Sequence, residues 1–103
     1  WLDLVKHILE KSLDVVDALA DPEKRTSVLV HCTDGWDRTT QLCSLSQLLL
    51  DPYFRTCRGF AVLIEKDWVS FGHKFGDRCG NSIQAVDPGA ASEELCPVFV
   101  QFL

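Results

Sequence analysis

Two of the three Asp-Pro dipeptides in this sequence set the limits of helical structure in its first half. Asp21-Pro22 and Asp51-Pro52 each place an aspartate before proline, and the residue before a proline disfavours the helical conformation. Ahead of each dipeptide, apolar residues recur every three to four positions, which predicts amphipathic helices over 2–20 and 39–50. The fold must therefore contain two helices of limited length and a non-helical connection between them.

The connection contains a short apolar run at 27–31, rich in β-branched residues. This run is too short for a helix and does not alternate with polar residues, so it predicts a strand buried on both faces. Residues 32–38 carry Asp, Gly and Thr and predict a loop. The predicted order is therefore strand, loop, helix.

The second half of the chain is less regular. Apolar and aromatic residues at helical intervals favour a helical region over 58–71, although propensity alone allows a strand at 61–64. Glycines flank a basic turn at 72–80, and residues 81–94 are polar and predict a loop. An early proline predicts the start of a further helix at 97–103.

Composition narrows the class of protein. The 103 residues suggest one small domain or a segment of a larger one, and the absence of Met favours a segment. A net charge of −5 argues against binding nucleic acid through bulk electrostatics. Five cysteines without CxxC spacing argue against a disulfide framework or a four-cysteine zinc site. We therefore expect a cytoplasmic chain in a reducing compartment.

Residues 28–40 carry the most informative pattern. Cys32 directly follows the predicted strand, and Arg38, five residues further on, directly precedes the predicted helix. A strand–loop–helix turn gathers backbone N–H groups at the positive end of the helix dipole, and such a nest binds a phosphate-sized anion. Gly35 permits a backbone turn that a side chain would obstruct.

The side chains of this loop suggest cysteine-based phosphoryl transfer. The N–H groups and Arg38 would lower the pKa of Cys32, and the thiolate is the nucleophilic form. The Arg38 guanidinium offers a planar fork to two phosphoryl oxygens. An acid must protonate the leaving alkoxide, and either Asp37 or Asp34 can do so, unless they serve only as a helix N-cap and a turn residue.

The other polar residues near the loop leave several assignments open. His31 can hydrogen-bond the loop and stabilise the thiolate, or it can be a core histidine. Thr39 or Thr40 can hydrogen-bond the Cys32 sulfur or cap the helix. Trp36 is expected mainly to pack beside the site.

The sequence His-Cys-Thr-Asp-Gly-Trp-Asp-Arg-Thr at 31–39 closely resembles the signature of the myotubularin family of phosphoinositide 3-phosphatases. The resemblance continues in Leu-Leu-Asp-Pro-Tyr-Phe-Arg-Thr at 49–56 and in Gly-Phe-Ala-Val-Leu-Ile-Glu-Lys-Asp-Trp at 59–68. It extends through Phe-Gly-His-Lys-Phe-Gly-Asp-Arg-Cys-Gly at 71–80. It is strong over about 27–80 and looser in the flanking helices.

The resemblance implies a role for each matching catalytic residue. Cys32 would attack the 3-phosphate of an inositol lipid and form a phosphocysteine, while Arg38 would bind the phosphoryl group. Asp37 is the preferred general acid, and Asp34 is the alternative or a water-positioning residue.

The resemblance also implies a substrate site around the loop. Lys74 and Arg78, four residues apart, are similar to the family's basic residues that reach a second ring phosphate or the diester phosphate. The expected substrate-binding residues are Thr33 (where many members have serine), Gly35, Trp36, Asp37, Lys74 and Arg78. No metal and no cofactor are expected.

The fold implied by the resemblance is an α/β cysteine-phosphatase fold of the protein tyrosine phosphatase type. This chain would be a partial phosphatase domain, mostly helical, with one buried strand before the phosphate-binding loop. The implied substrates are phosphatidylinositol 3-phosphate and phosphatidylinositol 3,5-bisphosphate on endosomal or other phosphoinositide-bearing membranes. Association with itself or with other family members would use regions outside this chain.

Two other functions share these residues. A protein tyrosine or dual-specificity phosphatase has the same Cys-x5-Arg chemistry, but usually takes its acid from a separate upstream loop. A phosphoinositide-binding scaffold would hold phosphate without turning it over. Here carboxylates lie inside the loop and basic residues lie downstream, which favours a phosphoinositide phosphatase. Some members of the family that the chain resembles lack the nucleophile or the arginine, so the presence of Cys32 and Arg38 implies an active member.

Overall fold

The computed structural model describes residues 1–80 and 95–103, so the loop predicted over 81–94 lies outside the described residues. Helical segments dominate the described part: α1 (Leu2–Ala20), α2 (Arg38–Leu50), a 3₁₀ turn (Pro52–Arg55), α3 (Cys57–Ile64), a π-helical turn (Glu65–Val69), α4 (Phe75–Arg78) and α5 (Val98–Phe102). None of these helices has the length and apolar character needed to cross a membrane.

The two long helices end where the Asp-Pro dipeptides predict. Asp21 follows α1 with φ −75° and ψ 107°, and Asp51 follows α2 with φ −120° and ψ 115°, both extended conformations. The Asp51 carboxylate also accepts a hydrogen bond of 2.8 Å from the backbone N–H of Tyr53. Asp51 therefore ends α2 and caps the 3₁₀ turn that follows.

The strand predicted at 27–31 is wrong: within the described residues this segment has no strand structure. Leu29 is 86% exposed, and its neighbours Val28 and Val30 are only half-buried. A strand requires a partner whose backbone completes its hydrogen-bond ladder, and no described segment pairs with this one. The run therefore stays irregular, and it leads directly into the loop at 32–37.

Helix α2 lies at the centre of the structure. It packs against α1, α5 and the π-helical turn. A small hydrophobic core packs against Leu45 and Leu48 of α2. It is built on four buried residues (Leu63, Trp68, Val98 and Phe102) and is called the aromatic core below. The Phe60 and Phe102 rings stack with centroids 6.0 Å apart, and Trp68 meets Phe99 edge to face at 4.8 Å.

The most buried residues of α2 are polar rather than apolar. The Gln41 amide donates to the backbone carbonyl of Val98 at 2.8 Å and so attaches α5 to α2. The Ser46 hydroxyl lies 3.5 Å from the carbonyl of Ser12, which is fully buried on α1. Small serine side chains allow the two helices to approach closely, while Leu42, Leu45 and Leu48 are only half-buried and Leu49 is exposed.

The helical region predicted over 58–71 is divided into α3 and a π-helical turn that ends at Val69. The wider turn makes i→i+5 hydrogen bonds, such as Ser70 N–H to Glu65 carbonyl at 2.9 Å. It buries both Asp67 and Trp68. Gly72 then adopts φ +80° and directs the chain into the basic turn, which contains α4.

Candidate active site at the start of helix α2

The loop at 32–37 bends immediately before the first turn of α2. Arg38 is the first residue of the helix, and Asp37 is its N-cap with φ −113° and ψ −92°. Gly35 adopts φ +83°, a left-handed conformation that residues with a side chain rarely adopt. No atom lies within 4 Å of the position that a Cβ of Gly35 would occupy. The glycine is therefore required by its backbone conformation, which confirms the turn predicted at Gly35.

The Cys32 thiol receives hydrogen bonds from the loop and from the first turn of α2. The backbone N–H of Gly35 donates to Sγ at 3.1 Å. Burial by itself raises the pKa of Cys32, but hydrogen bonds from the hydroxyl and N–H of Thr39 and from the N–H groups of Gly35 and Asp34 outweigh it. The resulting pKa is about 7, against the ordinary value of 9.0. Cys32 is therefore largely thiolate slightly above neutral pH.

Of the two threonines considered from the sequence, Thr39 is the one that acts on Cys32. Its Oγ1 is buried and has no regular hydrogen-bond partner in the described part of the chain. The hydroxyl is therefore available to orient its O–H toward a thiolate. Thr40 is also buried but makes no contribution to the pKa of Cys32.

The Arg38 guanidinium is held beside the loop. It donates from Nη2 to Oγ1 of Thr33 at 3.3 Å, and its side chain is exposed. Within the described residues Arg38 forms no ion pair. Together with Cys32 it lines a groove of about 700 Å³, to which α1 adds Lys11. An anion in this groove would meet the thiol and the guanidinium together.

The Asp37 carboxylate does not cap α2, although its residue is at the N-cap position. Arg78 donates to Oδ2 from both Nε, at 3.1 Å, and Nη2, at 2.9 Å. The other carboxylate oxygen, Oδ1, lies 2.9 Å from Nδ1 of His73. That ring N–H is aligned with the Trp36 carbonyl at 3.0 Å, so its contact with Oδ1 is electrostatic and not a well-aligned hydrogen bond. Asp37 is thus joined to two residues about forty positions further along the chain.

The two basic residues expected to bind substrate lie against the indole of Trp36. The Arg78 guanidinium carbon is 4.7 Å from the ring centroid, and Lys74 Nζ is 5.2 Å from it, both within cation–π range. These residues line a cleft of about 280 Å³ together with Asp34 and Asp77. Trp36 therefore supports two cations and does more than pack beside the site.

The predicted site residues are distributed between two neighbouring depressions. Three of them line the larger groove: Cys32, Thr33 and Arg38. Four line the smaller basic cleft: Asp34, Trp36, Lys74 and Arg78. Gly35 belongs to the loop that connects both sets, and the Arg78 hydrogen bonds tie Asp37 to the basic turn. The loop at 32–37 thus lies between a groove lined by Cys32 and Arg38 and a cleft lined by Lys74 and Arg78.

The structure changes the expectation for one histidine, His31, and gives a role to another, His73, for which none was predicted. The hydrogen bond suggested for His31 is not formed within the described residues, because the side chain is exposed in the irregular segment before the loop. His73, which the sequence did not single out, is buried and touches the loop. The available signal was a lone histidine between Gly72 and Lys74, within the segment that resembles the family.

In the parts of the chain that the structure describes, His, Cys, Asp and Glu side chains form no cluster of three or more suited to a metal ion.

Comparison with known proteins places this site in a family. The profile of the myotubularin-like phosphatase domain matches residues 1–103. The chain is 53% identical over 103 residues to phosphatidylinositol-3,5-bisphosphate 3-phosphatase MTMR6 of Rattus norvegicus, covering 100% of this chain and 14% of that protein. It is 52% identical over the same length to phosphatidylinositol-3-phosphate phosphatase MTMR7 of Mus musculus, covering 14% of it. Against phosphatidylinositol-3,5-bisphosphate 3-phosphatase MTMR4 of Mus musculus the identity is 52%, over 8% of that protein.

The match to the family profile extends from the first residue to the last, and the loop with Cys32 and Arg38 lies inside it. The chain spans 15% or less of the length of these curated relatives. The chain belongs to the myotubularin-like phosphatase family.

Proposed function

We propose that this chain carries the nucleophile loop of a phosphoinositide 3-phosphatase. The observation that carries the proposal is the environment of Cys32, whose thiol accepts the Gly35 N–H and has a pKa of about 7. The relatives named above are phosphatases of phosphatidylinositol 3-phosphate or its 3,5-bisphosphate. The proposed substrates are therefore these two lipids, presented at a membrane surface.

The first step is attack of the Cys32 thiolate on the phosphorus of the 3-phosphate. A sulfur–phosphorus bond forms as the bond between phosphorus and the ring oxygen breaks, and the ring oxygen leaves with the electron pair. Arg38 stabilises the charge spread over the phosphoryl oxygens. The backbone N–H groups that face the Cys32 sulfur in this structure add positive electrostatic potential to the same region.

A carboxylic acid donates a proton to the leaving ring oxygen in this step. Asp37 is the proposed donor, since it directly precedes Arg38 and its carboxylate is not used as a helix cap. Arg78 now occupies Oδ2 of Asp37, so substrate binding would have to draw Arg78 toward a second phosphate before Asp37 can hold a proton. Asp34, exposed in the basic cleft, is the alternative donor.

The second step is hydrolysis of the phosphocysteine. The carboxylate left by the first step accepts a proton from water, whose oxygen attacks phosphorus as the sulfur–phosphorus bond breaks. Inorganic phosphate and the Cys32 thiolate are the products. No group outside the chain, lipid and water is needed to balance either step.

The basic cleft supplies the proposed second contact with the lipid. Lys74 and Arg78 are both held against Trp36, in a cleft that Asp34 and Asp77 also line. A phosphate at ring position 5, or the diester phosphate, is the expected partner of this pair.

Phosphate release tests the proposal. We would assay the chain itself and MTMR6 carrying these 103 residues in place of its matching segment, on short-chain phosphatidylinositol 3-phosphate, the 3,5-bisphosphate and a phosphotyrosine peptide. We expect release from the lipids in at least one form. Cys32→Ser should reduce it by at least about a thousandfold, while Cys43→Ser stays within about twofold of wild type.

Other outcomes identify the other functions. Release from the peptide in preference to the lipids would indicate a tyrosine phosphatase. No release from either form, with unaltered MTMR6 active in the same assay and Cys32→Ser binding the lipid as tightly as wild type, would indicate a binding module.

A further inference from the structure

We infer that His73 is a positioning residue of this active site, which holds the exit of the loop so that Asp37 is aligned for proton transfer. This inference rests on the proposed function, because it concerns the acid of that reaction. His73 belongs to the basic turn and is thirty-six positions from Asp37 in the sequence, yet its ring touches the loop directly.

The hydrogen on the His73 ring is located by its neighbours. Nδ1 faces two acceptor oxygens, the Trp36 carbonyl at 3.0 Å and Oδ1 of Asp37 at 2.9 Å. An unprotonated Nδ1 would place its lone pair against both oxygens, so Nδ1 carries the hydrogen. One N–H group therefore donates to the backbone carbonyl of Trp36 and lies in electrostatic contact with the side chain of the next residue.

The ring itself is fixed by packing. Its side chain is fully buried, and it meets Trp68 edge to face at 4.9 Å and Phe75 at 4.7 Å between centroids. These contacts leave the imidazole little freedom to turn away from the loop. The aromatic core thereby sets the position of the N–H group that lies against Oδ1 of Asp37.

The two oxygens of Asp37 then have different partners. Arg78 donates to Oδ2 from two nitrogens, whereas His73 lies against Oδ1. If Arg78 moves toward a substrate phosphate, the contact with His73 remains to orient the carboxyl group. Its second function, the hydrogen bond to the Trp36 carbonyl, also fixes the backbone that carries the indole beneath Lys74.

Two amide substitutions separate this role from packing. In His73→Asn the side-chain amide nitrogen occupies the position of Nδ1 and keeps the donor, whereas in His73→Gln it occupies the position of Nε2 and loses it. Both variants lose the imidazole and its aromatic contacts. This loss is common to the two variants, so a difference in lipid kcat between them reports the position of the donor.

Two substrates separate acid alignment from binding. The leaving group of phosphatidylinositol 3-phosphate is an inositol alkoxide, which is a poor leaving group and needs a proton. The leaving group of nitrophenyl phosphate is nitrophenolate, a stable anion that needs none. The variants are assayed in whichever of the two forms, the chain or MTMR6 carrying it, releases phosphate. We expect His73→Gln to lower kcat on the lipid about tenfold. The KM for the lipid and the kcat on nitrophenyl phosphate should stay within about twofold of the wild-type values. His73→Asn should recover the lipid kcat to within about threefold of wild type.

The inference is overturned if His73→Asn and His73→Gln have the same lipid kcat, or if both substrates lose activity equally. Failure of the proposed function gives a different result, since wild-type enzyme would then release no phosphate from the lipid at all.

Discussion

The loop at 32–37 and the body of helix α2 follow one another in the chain, yet they shift the pKa of a cysteine in opposite directions. In the loop, hydrogen bonds to Cys32 overcome burial and lower its pKa to about 7. Eleven positions later in the sequence, burial raises the pKa of Cys43, and the nearby Asp67 carboxylate raises it further against a smaller effect of Lys66. The same thiol is thus activated at one position and suppressed at the other.

The difference follows from which backbone N–H groups are available. At the start of a helix the first N–H groups have no carbonyl partner within the helix, so the Thr39 N–H can donate to a nearby anion, and the N–H of Gly35 in the preceding loop does the same. In the body of a helix each N–H is already bonded to the carbonyl four residues earlier. Cys43 therefore gains nothing from the backbone, and desolvation decides its pKa.

The contrast between site and interior can first be tested on two tryptophans. Trp68 is fully buried in the aromatic core, so Trp68→Ala should lower the free energy of unfolding by about 3–5 kcal/mol. Trp36 is half-buried in the loop, and Trp36→Ala should lower it by less than about 1 kcal/mol. Urea unfolding measures both.

For enzymatic activity we expect the opposite order, with the larger effect in Trp36→Ala. Without the indole, Lys74 and Arg78 lose their shared support, so Trp36→Ala should raise KM for phosphatidylinositol 3-phosphate roughly tenfold. Trp36→Phe keeps a ring face and is the matched control. An unchanged KM in Trp36→Ala would mean that the indole only packs.

The two cysteines provide a further test of the contrast, in their rates of alkylation. At pH 7.5 a thiol of pKa about 7 is mostly thiolate, whereas one of pKa 9.0 or higher is only a few per cent thiolate. Iodoacetamide should therefore modify Cys32 at least about 25-fold faster than Cys43. Mass spectrometry of proteolytic peptides distinguishes the two sites. The rate at Cys32 should rise with pH around a midpoint of about 7.

Unfolding provides the control for this selectivity. In concentrated urea both thiols return to their ordinary pKa, so their alkylation rates should converge. Equal rates in the folded protein would contradict the contrast drawn above.

The smallest effect isolates one hydrogen bond. Thr39→Val removes the hydroxyl that lowers the pKa of Cys32 and preserves side-chain shape, so the alkylation midpoint should move to higher pH. The rate at pH 7 should fall about threefold. Thr40→Val removes a buried hydroxyl one residue away and should leave the midpoint unchanged. Equal shifts in both variants would assign the effect to the helix as a whole.

Local chemistry made much of the helical structure predictable. The Asp-Pro dipeptides act on their own neighbours, and they place the ends of α1 and α2 at Ala20 and Leu50. The lowered pKa of Cys32 was likewise predictable, because its main donors lie within seven residues of it. Interactions of this kind are present in the sequence as short spacings.

The errors arose where distant partners decide. A strand at 27–31 requires a neighbouring strand, and none of the described segments supplies one. Periodicity assigned the buried face of α2 to its leucines, whereas close approach to Ser12 of α1 favours small serines there. The π-helical turn that buries Asp67 was hidden inside an otherwise regular helical pattern.

The sequence by itself therefore determined the ends of the two long helices, the loop that precedes Arg38 and the cysteine that we propose as the nucleophile, Cys32. Only the tertiary structure decided which residues surround that loop. It joined Asp37 to Arg78 and His73, and it set Lys74 and Arg78 against Trp36. The physical reason is range: backbone propensity and helix-end donors act over a few residues, whereas ion pairs and ring contacts form between any residues that folding brings within a few ångströms.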